Sequence, residues 1–206
     1  MANPNWAPGT FFHLHEEDPV EEYENFKLGM WIFLATEVLL FGGLFCAFFI
    51  FKYTWPEVFT WGSQQLKPAL GATNTVVLLC SSFSMAMAVD SAQRGRKKLL
   101  ILCLIVTLLF ACGFLGIKYI EWSAKFEHGY HPGSSLFFAV YFMTTGLHLL
   151  HVLIGMTLIG ILLVGAIKGR YHEEHFGGVE VGGLYWHIVD VIWIFLFPLL
   201  YLLNFG

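Results

Sequence analysis

From residue 28 onward the chain is dominated by long apolar runs. Five of them reach the roughly 20 predominantly apolar residues that a helix needs to cross a bilayer. They cover about residues 28–51, 68–89, 99–117, 136–167 and 182–203. At about 1.5 Å per residue the fourth is about 48 Å long, against a hydrocarbon core of about 30 Å, so it must tilt or protrude. The pattern predicts an all-α polytopic membrane protein, a bundle of five transmembrane helices over residues 26–206. Residues 1–25 differ: they are polar, carry Pro4, Pro8 and Pro19 and show no sustained apolar period, which predicts an extended or partly ordered tail.

Composition supports this reading. The chain has 206 residues, 57% hydrophobic and 13% charged, with a mean hydropathy of +0.66, far from the balance of a soluble domain. The net charge of -4 says little, because Glu16, Glu17, Asp18, Glu21, Glu22 and Glu24 all crowd into the tail. No basic patch argues for nucleic acid. Nothing at the N-terminus combines a basic stretch, a short apolar stretch and a small-residue cleavage site, so a cleaved signal peptide is not expected. Cys46, Cys80, Cys103 and Cys112 lie inside apolar runs without a C-x-x-C pair and read as small buried residues.

Basic residues flanking the spans give the orientation. Lys27, Arg94, Arg96, Lys97, Lys98, Lys168 and Arg170 fall on one side, and Lys52, Lys67, Lys118 and Lys125 on the other. The larger group predicts an N-terminus inside and a C-terminus outside. Trp31 and Trp186 at the inner ends, with Trp55, Trp61 and Trp122 at the outer ones, suit interfacial belts. Ser82 with Ala86 and Ser84 with Ala88 have the small-xxx-small spacing that lets helices approach, and Gly113 and Gly116 lie one turn apart.

The candidate chemistry is the set of polar groups inside the spans. His148 and His151, three residues apart in the longest apolar run, project from nearly the same side of one helix and imply that other helices cover it. Glu37 lies some 14 Å into the first span at about 1.5 Å per residue. An ionised carboxylate there costs about 3 kcal/mol, and protonating it at pH 7 costs about 3.7 kcal/mol, so its partner decides its state. His187 and Asp190 share one face of the last span and can pair, and Glu37 and Asp190 lie at similar depth, within reach of one polar cluster. Three imidazoles, His148, His151 and His187, are too few for a haem or copper array, and no metal site is expected. His13 and His15 could chelate a metal but have no third ligand nearby and read as part of a solvated tail, while His172 and His175 in the loop beside Glu173 and Glu174 read as solvated or as contacts with another subunit. No nucleotide-binding or hydrolase motif is present, so no catalytic residue is assigned.

Five stretches, in order, resemble subunit III of the haem-copper oxidases, on the cytochrome c oxidase side. They are Lys27-Leu28-Gly29-Met30-Trp31 with Glu37-Val38; Asn74-Thr75 with Ser81-Ser82; Gly113-Phe114-Leu115-Gly116 with Glu121-Trp122; Thr145-Gly146-Leu147-His148 with His151-Val152; and Tyr185-Trp186-His187 with Asp190-Val191 and Trp193. The resemblance implies an accessory, non-redox subunit of a terminal oxidase in aerobic respiration. Haem and copper would lie in partner subunits and none in this chain. It further implies packing against catalytic subunit I with subunit II in the complex, bound phospholipid, support of proton uptake, and a bacterial inner membrane as the location, with a larger respiratory assembly compatible. By motif, Glu37, His148, His151, His187 and Asp190 match the family's buried polar set. The longer mitochondrial form has two extra N-terminal helices, whose place the acidic tail takes here. The alternatives are subunit III of a quinol oxidase, an accessory protein of a nitric oxide reductase, and a small proton-coupled transporter using Glu37 and Asp190. The absence of an inverted repeat speaks against the last.

Overall fold

A computed structural model describes residues 19–171 and 176–202, with side chains from residue 27 onward. His13, His15, His172 and His175 therefore lie outside the described residues. All regular structure there is helical: α1 (Pro19–Thr54), α2 (Pro56–Gln64), α3 (Pro68–Gln93), α4 (Lys97–Glu127), α5 (Leu136–Ile167) and α6 (Gly177–Phe197), followed by a π-helical turn at Pro198–Leu202. Five of these helices are long and apolar enough to cross a membrane. Several boundaries move relative to expectation: α1 begins at Pro19, within the stretch expected to be a tail, and α6 at Gly177, ahead of residue 182. The third span continues through Glu127, drawing Lys118, Glu121 and Lys125 into the bundle, and the short helix α2 fills the turn between the first two spans.

Local chemistry sets the breaks. Pro56 and Pro68 open α2 and α3 at positions where the missing N–H costs nothing. Gly95, Gly129 and Gly169 follow α3, α4 and α5 with φ of 63°, 78° and 75°. Each closes its helix with the paired return bonds of a Schellman motif, such as Arg96 N–H to Ser91 O at 2.8 Å and Gly95 N–H to Ala92 O at 3.1 Å. The Ser135 hydroxyl caps α5 by accepting from Phe138 N–H. Near the end of the last span, Pro198 cannot supply the next helical donor, and the backbone widens into the π turn that carries Tyr201 inward.

The core lies among α3, α4, α5 and α6, with α1 against the α5–α6 side and α2 across the end of α5. Its largest members are aromatic: Trp186, Trp193, Tyr141, Tyr201 and Phe114 are all sealed from the surface. Trp186 is thus a core residue, not an interfacial one; its indole N–H donates to Ser81 Oγ at 3.0 Å, which satisfies it away from any headgroup. Trp31, Trp55 and Trp61 are exposed. The cysteines also depart from expectation. Cys103 alone is buried, while Cys46, Cys80 and Cys112 face outward, where an apolar thiol is equally at home against lipid. Ser84 and Ala88 are buried where α3 meets α4, whereas nothing presses on Gly116.

Candidate functional site

The intramembrane polar residues separate into four places. In the first, α1 and α5 bring Glu37 and His151 together, with Nε2 of His151 2.8 Å from Oε2 of Glu37. That is an ion-pair distance, although the contact lies off the line of an ideal hydrogen bond. The other ring nitrogen, Nδ1, stands 2.8 Å from the Leu147 carbonyl one turn back. A carbonyl only accepts, so Nδ1 carries a proton and faces the backbone. One further proton between Nε2 and Oε2 then suffices. Whether it sits on the imidazole or on the carboxyl, the pair is net neutral, and neither penalty reckoned for a lone Glu37 applies in full. The Tyr185 hydroxyl donates to His151 O at 3.1 Å, Phe33 stacks on Tyr185, and the Phe41 ring meets His151 edge-on. These contacts tie α1, α5 and α6 around the pair.

The second place holds His148, which is 1% exposed. Although three residues from His151, it turns into the core between Phe114 and Trp193, with ring centroids 5.7 and 5.3 Å away, and has no polar partner among the described residues.

In the third, His187 and Asp190 share a face of α6 but do not pair. Nδ1 of His187 meets Ser82 Oγ at 2.7 Å. Asp190 is 2% exposed, and neither of its oxygens has a partner at full hydrogen-bond geometry among the described residues. Its polar neighbour is Ser82 on α3, whereas Glu37 turns to α5, so the structure does not join the two carboxyls in one cluster. His148, His151 and His187 thus point to three different surroundings. Among the described residues no three His, Cys, Asp or Glu side chains converge as metal ligands, and the donor set does not fit a haem or copper ion.

The fourth place is a buried ionic network that hydropathy missed. Lys118 Nζ donates to Glu121 Oε2 at 2.8 Å and to the Tyr201 hydroxyl at 2.9 Å. Glu121 Oε1 accepts from Tyr141 at 3.1 Å and from Tyr201. Lys125 Nζ stands 3.8 Å from the same oxygen, and Lys118 Nζ also lies 4.4 Å over the Trp193 ring. Lys118, Glu121 and Lys125 are 3%, 3% and 6% exposed. The signal was available: Lys-x-x-Glu-x-x-x-Lys places all three on one helical face. A window average ends the span at residue 117 because charges terminate it. Hydroxyls complete the interior, with Ser84 Oγ and Thr107 Oγ1 2.7 Å apart and Trp193 Nε1 donating to Thr75 Oγ1 at 3.1 Å.

A five-span bundle whose polar interior serves helix contacts defines a polytopic membrane protein. The sequence model for "Cytochrome c oxidase subunit III" matches residues 8–205, and the chain belongs to that family. It is 35% identical over 187 residues to quinol oxidase subunit 3 of Bacillus subtilis, covering 87% of each chain. It is 32% identical over 201 residues to cytochrome c oxidase subunit 3 of Loxodonta africana, covering 94% of this chain and 74% of that one. A haem-copper oxidase subunit I+III of Aeropyrum pernix is 30% identical over 189 residues, covering 87% of this chain and 23% of the longer protein. The chain is accordingly a multi-pass membrane protein of the haem-copper oxidase subunit III family.

Proposed function

We propose that this chain is the accessory, non-redox subunit III of a cytochrome c oxidase in a bacterial inner membrane, where it stabilises subunit I, contacts an assembly that includes subunit II, binds phospholipid and supports proton uptake. The observation that carries the proton role is the Glu37–His151 pair, an ionisable couple at the margin of the bundle that can hold its one proton on either partner. The existence of a relative in which subunits I and III form one chain supports direct packing on subunit I. The haem and copper belong to the partner subunits.

For orientation, Lys118 and Lys125 leave the flank count because they are buried in the bundle. Lys52 and Lys67 then remain against the seven basic residues of the opposite side, which favours an N-terminus on the cytoplasmic face. Subunit III of a quinol oxidase is the second reading, favoured by the identity to the Bacillus subtilis protein.

A tagged chain extracted in mild detergent is expected to bring haem and copper with it, to lose both in a harsher detergent, and to yield a complex that oxidises reduced cytochrome c. Oxidation of quinol alone would replace the first reading by the second. Absence of haem from the mild extract would refute both.

A further inference from the structure

We propose that the cleft between α2, the start of α3 and the end of α4 binds a phosphate-bearing anion through Lys67 and Lys125, either the headgroup phosphate of an acidic phospholipid or free inorganic phosphate. This deepens the lipid-binding part of the function proposed above, but it stands on a charge count within this chain.

The count is unequal. Two ammonium groups, Lys118 and Lys125, are buried with one carboxylate, Glu121. The tyrosine hydroxyls around them are neutral donors and add no negative charge. Glu121 is also fully engaged, with Oε2 taken by Lys118 and Oε1 by Tyr141 and Tyr201. Lys125 is left with the looser contact at 3.8 Å and with the face of the Tyr141 ring, 5.3 Å from its centroid. A buried charge without a full counter-charge is costly, and an anion brought to it is bound correspondingly well.

Lys125 opens onto a cleft of about 340 Å³, and Lys67, exposed and outside every ion pair among the described residues, lines the same cleft. His128 is also on the wall; its Nδ1 is held by the Ala124 carbonyl at 2.6 Å, which leaves Nε2 for the cleft. The Gln65 carboxamide oxygen accepts from Tyr130 at 3.3 Å, closing one side. Leu70 and Ile120 form an apolar flank, and Ile120 is 63% exposed on the outer face of α4. A charged floor beside an apolar flank suits a phosphodiester whose acyl chain runs down α4. The volume also accommodates a hydrated phosphate.

The test is native mass spectrometry of the purified full-length chain after delipidation, titrated with phosphatidylglycerol, with phosphatidylcholine of matched chains, or with inorganic phosphate. The wild type is expected to retain one phosphatidylglycerol in preference to phosphatidylcholine, and Lys67→Gln and Lys125→Gln to weaken retention about five-fold each, the effect of one lysine near an anionic headgroup. Lys168→Gln, a change of an exposed lysine outside the cleft, should leave it unaltered. Because Lys67 is exposed, its variant tests the site even if the Lys125 variant fails to fold. Binding of phosphate without lipid preference, still sensitive to Lys67, would assign the site to the free anion. Retention of neither ligand, or equal weakening by Lys168→Gln, would overturn the proposal. Haem co-purification measured on the mild-detergent extract, before the chain is isolated and delipidated, reports on the subunit assignment independently of either outcome.

Discussion

Replacing Glu121 and Lys118 singly should give unequal losses of stability, because the two changes leave different charges behind. Glu121→Gln keeps the shape of the side chain but strands two ammonium groups, Lys118 and Lys125, in a site where both are nearly sealed. It also weakens the acceptor used by Tyr141 and Tyr201. Breaking a buried pair in this way costs about 3–5 kcal/mol. Lys118→Met, by contrast, leaves one carboxylate facing one ammonium: Glu121 retains both tyrosine donors and the Lys125 contact at 3.8 Å, and only the two hydrogen bonds from Lys118 Nζ are lost. The expected cost is about 1–2 kcal/mol, since the remaining charges balance and the methionine fills the volume against Trp193. The assay is denaturation of the purified chain by sodium dodecyl sulfate in mixed micelles, followed by helicity. Equal losses for the two variants, or a loss below about 1 kcal/mol for Glu121→Gln, would refute the charge argument.

Other outcomes follow from single contacts. Glu37→Gln keeps a donor for His151 Nε2 and should change stability by less than about 1 kcal/mol, while slowing turnover of the assembled oxidase or hastening its inactivation; unchanged kinetics would remove Glu37 from proton traffic. Gly155→Val should destabilise by about 1–3 kcal/mol in the same denaturation assay, because a Cβ there meets the Trp186 ring at 2.7 Å. Burial pushes the Tyr171 phenol above its ordinary pKa. Its folded pKa exceeds the unfolded one, so the stability it contributes is intact below the unfolded value, near 10, and falls as pH rises through the folded one. Spectrophotometric titration of wild type against Tyr171→Phe, with denaturation at each pH, checks both statements.

Much of the bundle was legible in the chain because the bilayer imposes a one-dimensional rule: a segment long and apolar enough must span, and its backbone must be helical. The five spans and the covering of the His148–His151 face follow from that rule. Partner choice does not. His148 and His151 lie three residues apart, yet one packs between aromatic rings and the other meets Glu37, because α1 and α4 flank α5 on different sides. His187 and Asp190 have spacing suited to a pair, but Ser82 takes the imidazole.

Averaged hydropathy also mistook Lys118 and Lys125 for membrane flanks. A lysine is a boundary marker only when its ammonium reaches water; here Lys118 meets Glu121, Tyr201 and the Trp193 face, and Lys125 lies against Glu121 and the Tyr141 ring. Sequence alone determined that the chain crosses the membrane and that a handful of its polar groups lie within it. Which polar groups satisfy one another was decided only by how the helices pack, since in a low-dielectric interior a few ångströms separate a neutral couple from an uncompensated charge.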